Sequence, residues 1–236
     1  MLVNKKKTLV VIFVILVILL IIIAYFSSQN NQPQTQTLGY NTQDDNFNNS
    51  NMLQTSRTQT NESKYNKYSS PPNILPENER VNKKAVLKTE KGTIEIKLFG
   101  DDAPLTVSNF IFLTNDDFYD NLTFHRREEG FVILGGDPLG QGYGGPGYQF
   151  EDEAIPESKY PRQMGSMGME LITYRKGLVA MANSGPNTNG SQFFIMLDDA
   201  MLPPAYNIFG EVVSGFDVVE KIQIGDRILE ASIEEL

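Results

Sequence analysis

Fifteen residues, M-A-N-S-G-P-N-T-N-G-S-Q-F-F-I from Met181 to Ile195, constrain this chain more than any other stretch. The segment begins and ends as apolar strand. Between the ends lie ten residues dominated by Gly, Pro, Asn, Thr and Ser, too rich in turn formers for regular structure. Gln192 then stands directly before Phe193 and Phe194. This pattern predicts two buried strands joined by a tight polar loop that delivers a few side chains to a surface.

Composition limits what that surface can do. The chain has 236 residues and no Cys, which excludes a disulfide framework, a thiol nucleophile and a cysteine zinc site. Its one His, His125, would have to serve any Ser-His-Asp triad, and a multi-His metal site is excluded. Residues 1–83 hold eight Lys and Arg against five Asp and Glu; residues 84–236 hold twelve against twenty-four. So acidic a folded part argues against nucleic acid as a partner.

Lys5, Lys6 and Lys7 precede an uninterrupted apolar run, Thr8 to Phe26. As a helix its nineteen residues would span about 28 Å, close to the hydrocarbon core of a bilayer. It exceeds a signal-peptide core, and no small-x-small cleavage pattern follows. Residues 1–26 read as an uncleaved signal anchor with its N-terminus in the cytoplasm and the rest outside. A cleaved signal peptide is the alternative, and both readings export the remainder. Residues 27–83 are rich in Asn, Gln, Ser and Thr and read as a disordered polar linker reaching roughly 40 Å on average.

Order is expected from residue 84 to 236. The run V-L-K-T-E-K-G-T-I-E-I-K-L-F, Val86 to Phe99, alternates apolar and polar around Lys91-Gly92 and predicts a hairpin. Asp101 and Asp102 are cap candidates before Pro104, and a helix follows with Val107, Phe110 and Leu113 on one face, ending near Asn115. The loop G-Q-G-Y-G-G-P-G, Gly140 to Gly147, lacks the sequence context of a phosphate loop and reads as a surface loop. Phe150 to Glu153 predicts a short strand. Residues 154–176, with Met164, Met167 and Met169, read as a mobile surface insertion in preference to a substrate-contacting flap. A short helix after Gly215 and a last strand from Ile228 to Ile233 complete a tally of about eight strands and two helices.

Two long motifs, F-H-R-x-x-x-G-F-V-x-x-G-G-D (Phe124 to Asp137) and the Met181–Ile195 stretch, resemble the signatures of the cyclophilins, peptidyl-prolyl cis-trans isomerases. The resemblance runs from about Ala85 to the C-terminus and takes in G-G-P-G-Y-x-F-E-D-E. It implies a mainly β fold, an eight-stranded antiparallel closed barrel capped by two α-helices, here preceded by the anchor and the linker. It implies a monomeric domain acting on proline-containing polypeptides without metal or cofactor. Carried over residue by residue, Arg126 and Gln192 are catalytic, Arg126 as the donor, and Gln192 and Asn183 hold the substrate backbone and help orient the arginine. Phe131, Val132, Phe194 and Leu202 line the proline pocket, and Ala182 and Ser184 form the groove wall. Met201 lies at the rim, and Tyr206 stands where many members have His. His125 matches a structural imidazole. The chain departs from the family at Leu134, usually Gln, which implies reduced turnover or a binding module. It departs again at Met201, usually Trp or another bulky group, which implies weak binding of cyclosporin-type ligands.

Overall fold

The alternation read at Val86–Phe99 forms a two-strand hairpin, β1 (Lys83–Thr89) and β2 (Gly92–Leu98), in the computed structural model, which describes residues 63–166 and 168–236. Ile94, Ile96 and Leu98 point into the core while their neighbours face outward. Thr89 Oγ1 closes the turn, accepting from Lys91 N at 3.1 Å and donating to Gly92 O at 2.8 Å.

Nine more strands follow: β3 (Arg126–Glu128), β4 (Val132–Gly135), β5 (Gln163–Met164), β6 (Glu170–Tyr174), β7 (Leu178–Met181), β8 (Phe193–Met196), β9 (Ala200–Leu202), β10 (Ile208–Ser214) and β11 (Ile228–Glu235). Eight of the strands make one antiparallel sheet in the order β11-β1-β2-β10-β7-β8-β4-β3; β5, β6 and β9 make a second. The expected closed barrel takes the form of a curled sheet whose edge strands β3 and β11 share no ladder. Instead the turns before them are laced together: Asn121 N and Phe124 N donate to Ile228 O and Asp226 O, and Ile228 N donates back to Leu122 O.

The strands sort side chains into two clusters. One face carries Ile133, Val179, Met181, Phe193 and Ile195 into the main core with the helices; the other carries Val132, Ala180, Phe194, Met196 and Ile208. Neighbours in sequence thus serve different interiors, as the alternation of a strand requires.

Three helices are present among the described residues: α1 (Glu77–Arg80), α2 (Pro104–Asn115) and α3 (Phe216–Lys221). Helix α3 begins after Gly215, whose φ of 79° and approach to Thr93 O leave no room for a Cβ. Phe150–Glu153, expected as a strand, makes an isolated bridge at Phe150 to Asn189. The 154–176 insertion contains β5 and β6, so it is partly paired.

The anchor 1–26 and linker residues 27–62 lie outside the described residues. Among those described, no helix is long and apolar enough to cross a membrane. Linker residues 63–83 depart from the expectation of disorder. Tyr68 N donates to Pro146 O at 2.8 Å, and the Tyr68 ring packs against Phe112, Phe118 and Tyr148. Lys64 Nζ donates to the carbonyls of Asp117 and Asp120, both at 2.7 Å. Leu75 N donates to Ser108 Oγ at 2.9 Å. A few aromatic and basic residues in a polar stretch give it a surface to bury, which average composition hides.

Helix α2 is capped from a distance. Ala103 is the cap residue and makes no side-chain bond. Asp101 and Asp102 do not fill that role. Glu153 does, its carboxylate accepting from Leu105 N and Thr106 N, each at 2.8 Å, and from Thr106 Oγ1. A carboxylate at the positive end of a helix is favourable twice over, through the dipole and through the otherwise unpaired amides. Buried Asn207 joins the same network, donating to Thr106 Oγ1 at 2.9 Å and accepting from Glu153 N at 2.9 Å. Glu153→Ala removes this cap at a cost of about 1–2 kcal/mol. At this size the melting midpoint should fall by roughly 2–8 °C in a calorimetric scan; an unchanged midpoint would refute the assignment.

Candidate active site

The sheet register builds the site. Arg126 stands opposite Leu134, Leu134 opposite Phe194, Phe194 opposite Ala180, and Ala180 opposite Ile208. Directly paired residues share a face, so this row runs across five strands on the side away from the main core. Arg126 and Phe194 are two strand spacings apart, about 10 Å at the backbone.

On the same face as Arg126 lies an apolar cluster. Val132, Phe194 and Leu202 are buried, and Phe131, Leu134, Ala182 and Tyr206 pack against them while keeping part of their surface in solvent. Phe194 and Tyr206 meet edge to face, centroids 5.5 Å apart at 88°, and Tyr174 OH donates to Tyr206 O at 3.2 Å. Phe131 is delivered by the β3–β4 turn, which Gly130 enters at φ 65° and Phe131 N closes on Glu128 O. Four predicted pocket residues, Phe131, Val132, Phe194 and Leu202, therefore meet in one place. Burial holds the Tyr206 phenol above its ordinary pKa, so it stays a neutral donor.

The other predicted residues sit around this centre. Gln192 Nε2 donates to Gly144 O at 2.9 Å, which pins the amide to the glycine-rich loop. That loop is wound about buried Asp137, whose carboxylate accepts from Leu139 N at 2.8 Å, Gln141 N at 2.9 Å and Gly142 N. A Cβ on Gly144 would meet Asp137 Oδ1. The loop's amides thus already hold an anion, the protein's own. Asn183 Nδ2 donates to Ala205 O at 2.8 Å, tying the 181–195 turn to the Tyr206 segment. Ser184 is exposed, its N–H donating to Thr188 Oγ1. Met201 is exposed and stands on the opposite face of β9 from Leu202, outside the cluster.

Sequence reasoning missed Glu128. Its Oε1 accepts from Arg126 Nε at 3.0 Å. Residues i and i+2 of a strand share a face, so the spacing R-R-E carried the signal once β3 was placed. Arg127 turns the other way and holds Ile222 O and Glu129.

The fold and this site together define a β-sheet protein presenting a half-open apolar pocket beside a permanently charged donor. The model of the cyclophilin type peptidyl-prolyl cis-trans isomerase family matches residues 84–234, and the chain belongs to that family. It is 43% identical over 156 residues to peptidyl-prolyl cis-trans isomerase B of Streptomyces anulatus, covering 58% of this chain and 82% of that protein. It is 41% identical over 152 residues to a peptidyl-prolyl cis-trans isomerase of Synechococcus elongatus, covering 63% and 94%. It is 43% identical over 148 residues to peptidyl-prolyl cis-trans isomerase 9 of Schizosaccharomyces pombe, covering 61% of this chain but 22% of that longer protein. The crystal structure of a Cryptosporidium parvum cyclophilin type isomerase superposes with a TM-score of 0.54 at 32% identity, over 65% of this chain and 98% of that one. A second structure of it was determined in the presence of the dipeptide Ala-Pro.

His125 adjoins Arg126 along the chain. Both ring nitrogens are buried, and its backbone N–H donates to Leu134 O at 3.0 Å. Burial lowers its pKa below the ordinary 6.5, with Asp137 opposing and Arg126 adding to the shift. The unfolded chain therefore takes up a proton on this ring at higher pH than the folded chain. Stability from this group is full above pH 6.5 and is lost as the pH falls below it. The melting midpoint should drop more steeply between pH 7 and pH 5 in the wild type than in His125→Gln; parallel curves would show that the imidazole titrates alike in both states.

Proposed function

We propose that this domain accelerates cis–trans rotation about X-Pro bonds in exported or cell-surface polypeptides and so assists their folding. The observation that carries the reading is the placement of Arg126, Val132 and Phe194 on one face of the sheet, with Phe131 and Leu202 packed into the same cluster. Rotation about an X-Pro bond must cross a barrier of about 18–20 kcal/mol, and uncatalysed it takes roughly 10–100 s. Twisting the bond breaks amide resonance and returns a lone pair to the proline nitrogen. A catalyst has to grip the ring, hold the flanking backbone and offer a donor that binds the twisted state better than either planar one.

Each role has a residue. The apolar cluster takes the pyrrolidine ring. Gln192 and Asn183 hold backbone beside it, with Ala182 and Ser184 as the wall. Tyr206 donates its hydroxyl to a substrate carbonyl. Arg126 donates to the pyramidal nitrogen from its terminal amino groups. No step forms a covalent bond to the protein, so the chemistry asks for no nucleophile, metal or cofactor.

A second reading, a proline-peptide binding module with weak turnover, is favoured by Leu134, which sets an apolar side chain directly opposite Arg126. A protease-coupled assay on an X-Pro peptide with the full chain in detergent separates the two. The wild type should accelerate isomerisation, and Arg126→Ala should lower kcat/KM on the order of a hundredfold, the scale of losing a transition-state donor. Binding of the same peptide without acceleration would establish the second reading instead. The anchor reading places the domain outside the cytoplasm as a monomer on a membrane tether. Protease added to intact cells should release it, and protection would overturn that topology.

A further inference from the structure

Arg126 has two close neighbours on its face of the sheet, and they differ in kind. Across the ladder stands Leu134, which offers no acceptor. Two residues along β3 stands Glu128, whose Oε1 lies 3.0 Å from Arg126 Nε. Arg127, between them, is directed to Ile222 O and Glu129 and leaves this pair alone. An arginine side chain carries about 2 kcal/mol of rotamer entropy. Without a partner, the guanidinium would sweep through many orientations over the pocket's edge.

The choice of nitrogen matters. A guanidinium has five N–H donors, one on Nε and four on the terminal nitrogens. Bonding through Nε fixes the plane of the fork and leaves both terminal amino groups facing onward. A carboxylate on the terminal groups would occupy the donors that a substrate needs. The pair is about one-third exposed on each side, 37% for Arg126 and 29% for Glu128, so solvent screens the charge while the geometry persists. What the carboxylate supplies is direction.

We propose that Glu128 is the positioning residue for Arg126, holding its guanidinium by Nε so that the terminal amino groups are presented over the proline pocket. It acts from the arginine's own strand and takes the place of a polar partner across the ladder, where Leu134 stands. This rests on Arg126 being the donor, as set out above.

The test uses the full chain in detergent, an X-Pro peptide, and the variants Glu128→Ala, Glu128→Gln, Glu128→Ala/Leu134→Gln and Arg126→Ala, each with its melting midpoint. Glu128→Ala should lower kcat roughly tenfold, the rate equivalent of one charge-assisted hydrogen bond at a part-exposed site, with KM little changed and an unaltered midpoint. Glu128→Gln keeps an acceptor and should lie between. The double variant places an amide directly opposite Arg126, within reach of the guanidinium. It should recover most of the rate, which a merely structural role would not produce. A wild-type kcat in Glu128→Ala, or a loss that Leu134→Gln does not restore, overturns the proposal. If Arg126→Ala itself keeps the wild-type rate, the donor reading falls and the positioning role falls with it. A large loss in Arg126→Ala with none in Glu128→Ala removes the positioning role alone.

Discussion

The pairing register of β3, β4, β8 and β7 is the constraint from which the site follows. Because side chains alternate along a strand, slipping β4 by one residue would exchange Ile133 for Leu134 and empty both clusters at once. The core thus enforces the site's geometry. Ile133, Phe193 and Ile195 are fully buried, and their fit against the helices fixes where Leu134, Phe194 and Arg126 must appear on the other side. Few ways remain to move the arginine relative to the pocket without disturbing the interior.

Two polar networks finish what the sheet begins. Glu153 and Asn207 join the start of α2 to the strand that supplies Ile208, and Asn207 O accepts from Met181 N at the edge of the turn. Asp137 gathers the glycine-rich loop, and the loop's Gly144 carbonyl then holds Gln192. In each case a carboxylate is satisfied by backbone amides, which for Asp137 is the condition for burying it at modest cost. The two loops that flank the pocket are therefore held by charges that belong to the protein.

How much of this could be read from the chain depends on the range of the interaction. The hairpin, α2 up to Asn115, α3 and the last strand were legible because periodicity and turn residues are local signals. The pocket residues were legible through the two long motifs. The cap of α2 was not, since Asp101 and Asp102 lie in the expected place while Glu153 arrives from 48 residues further on. The Phe150–Glu153 strand failed for the same reason, its polar groups being used by Asn189, Asn207 and α2. Glu128 was hidden by the shortness of β3, three residues that no alternation rule isolates. Residues 63–83 were misjudged because Tyr68 and Lys64 act singly, and averages over a polar stretch dilute them.

That last segment changes how the domain would carry a load. The backbone of residues 66–68 is bonded to Gly145 and Pro146, at the end of the loop whose neighbouring carbonyl, Gly144 O, receives Gln192. Gly147 is seated so tightly that a Cβ there would strike Tyr68 O. Tension on the chain at Ser63 would fall first on Lys64 and its two carbonyl partners, then on the Asn66 bond to that loop together with the Tyr68 ring. The ordered lead-in, like the collar on a cable, meets a pull from the N-terminal side at Lys64 before that pull reaches the loop beside the pocket.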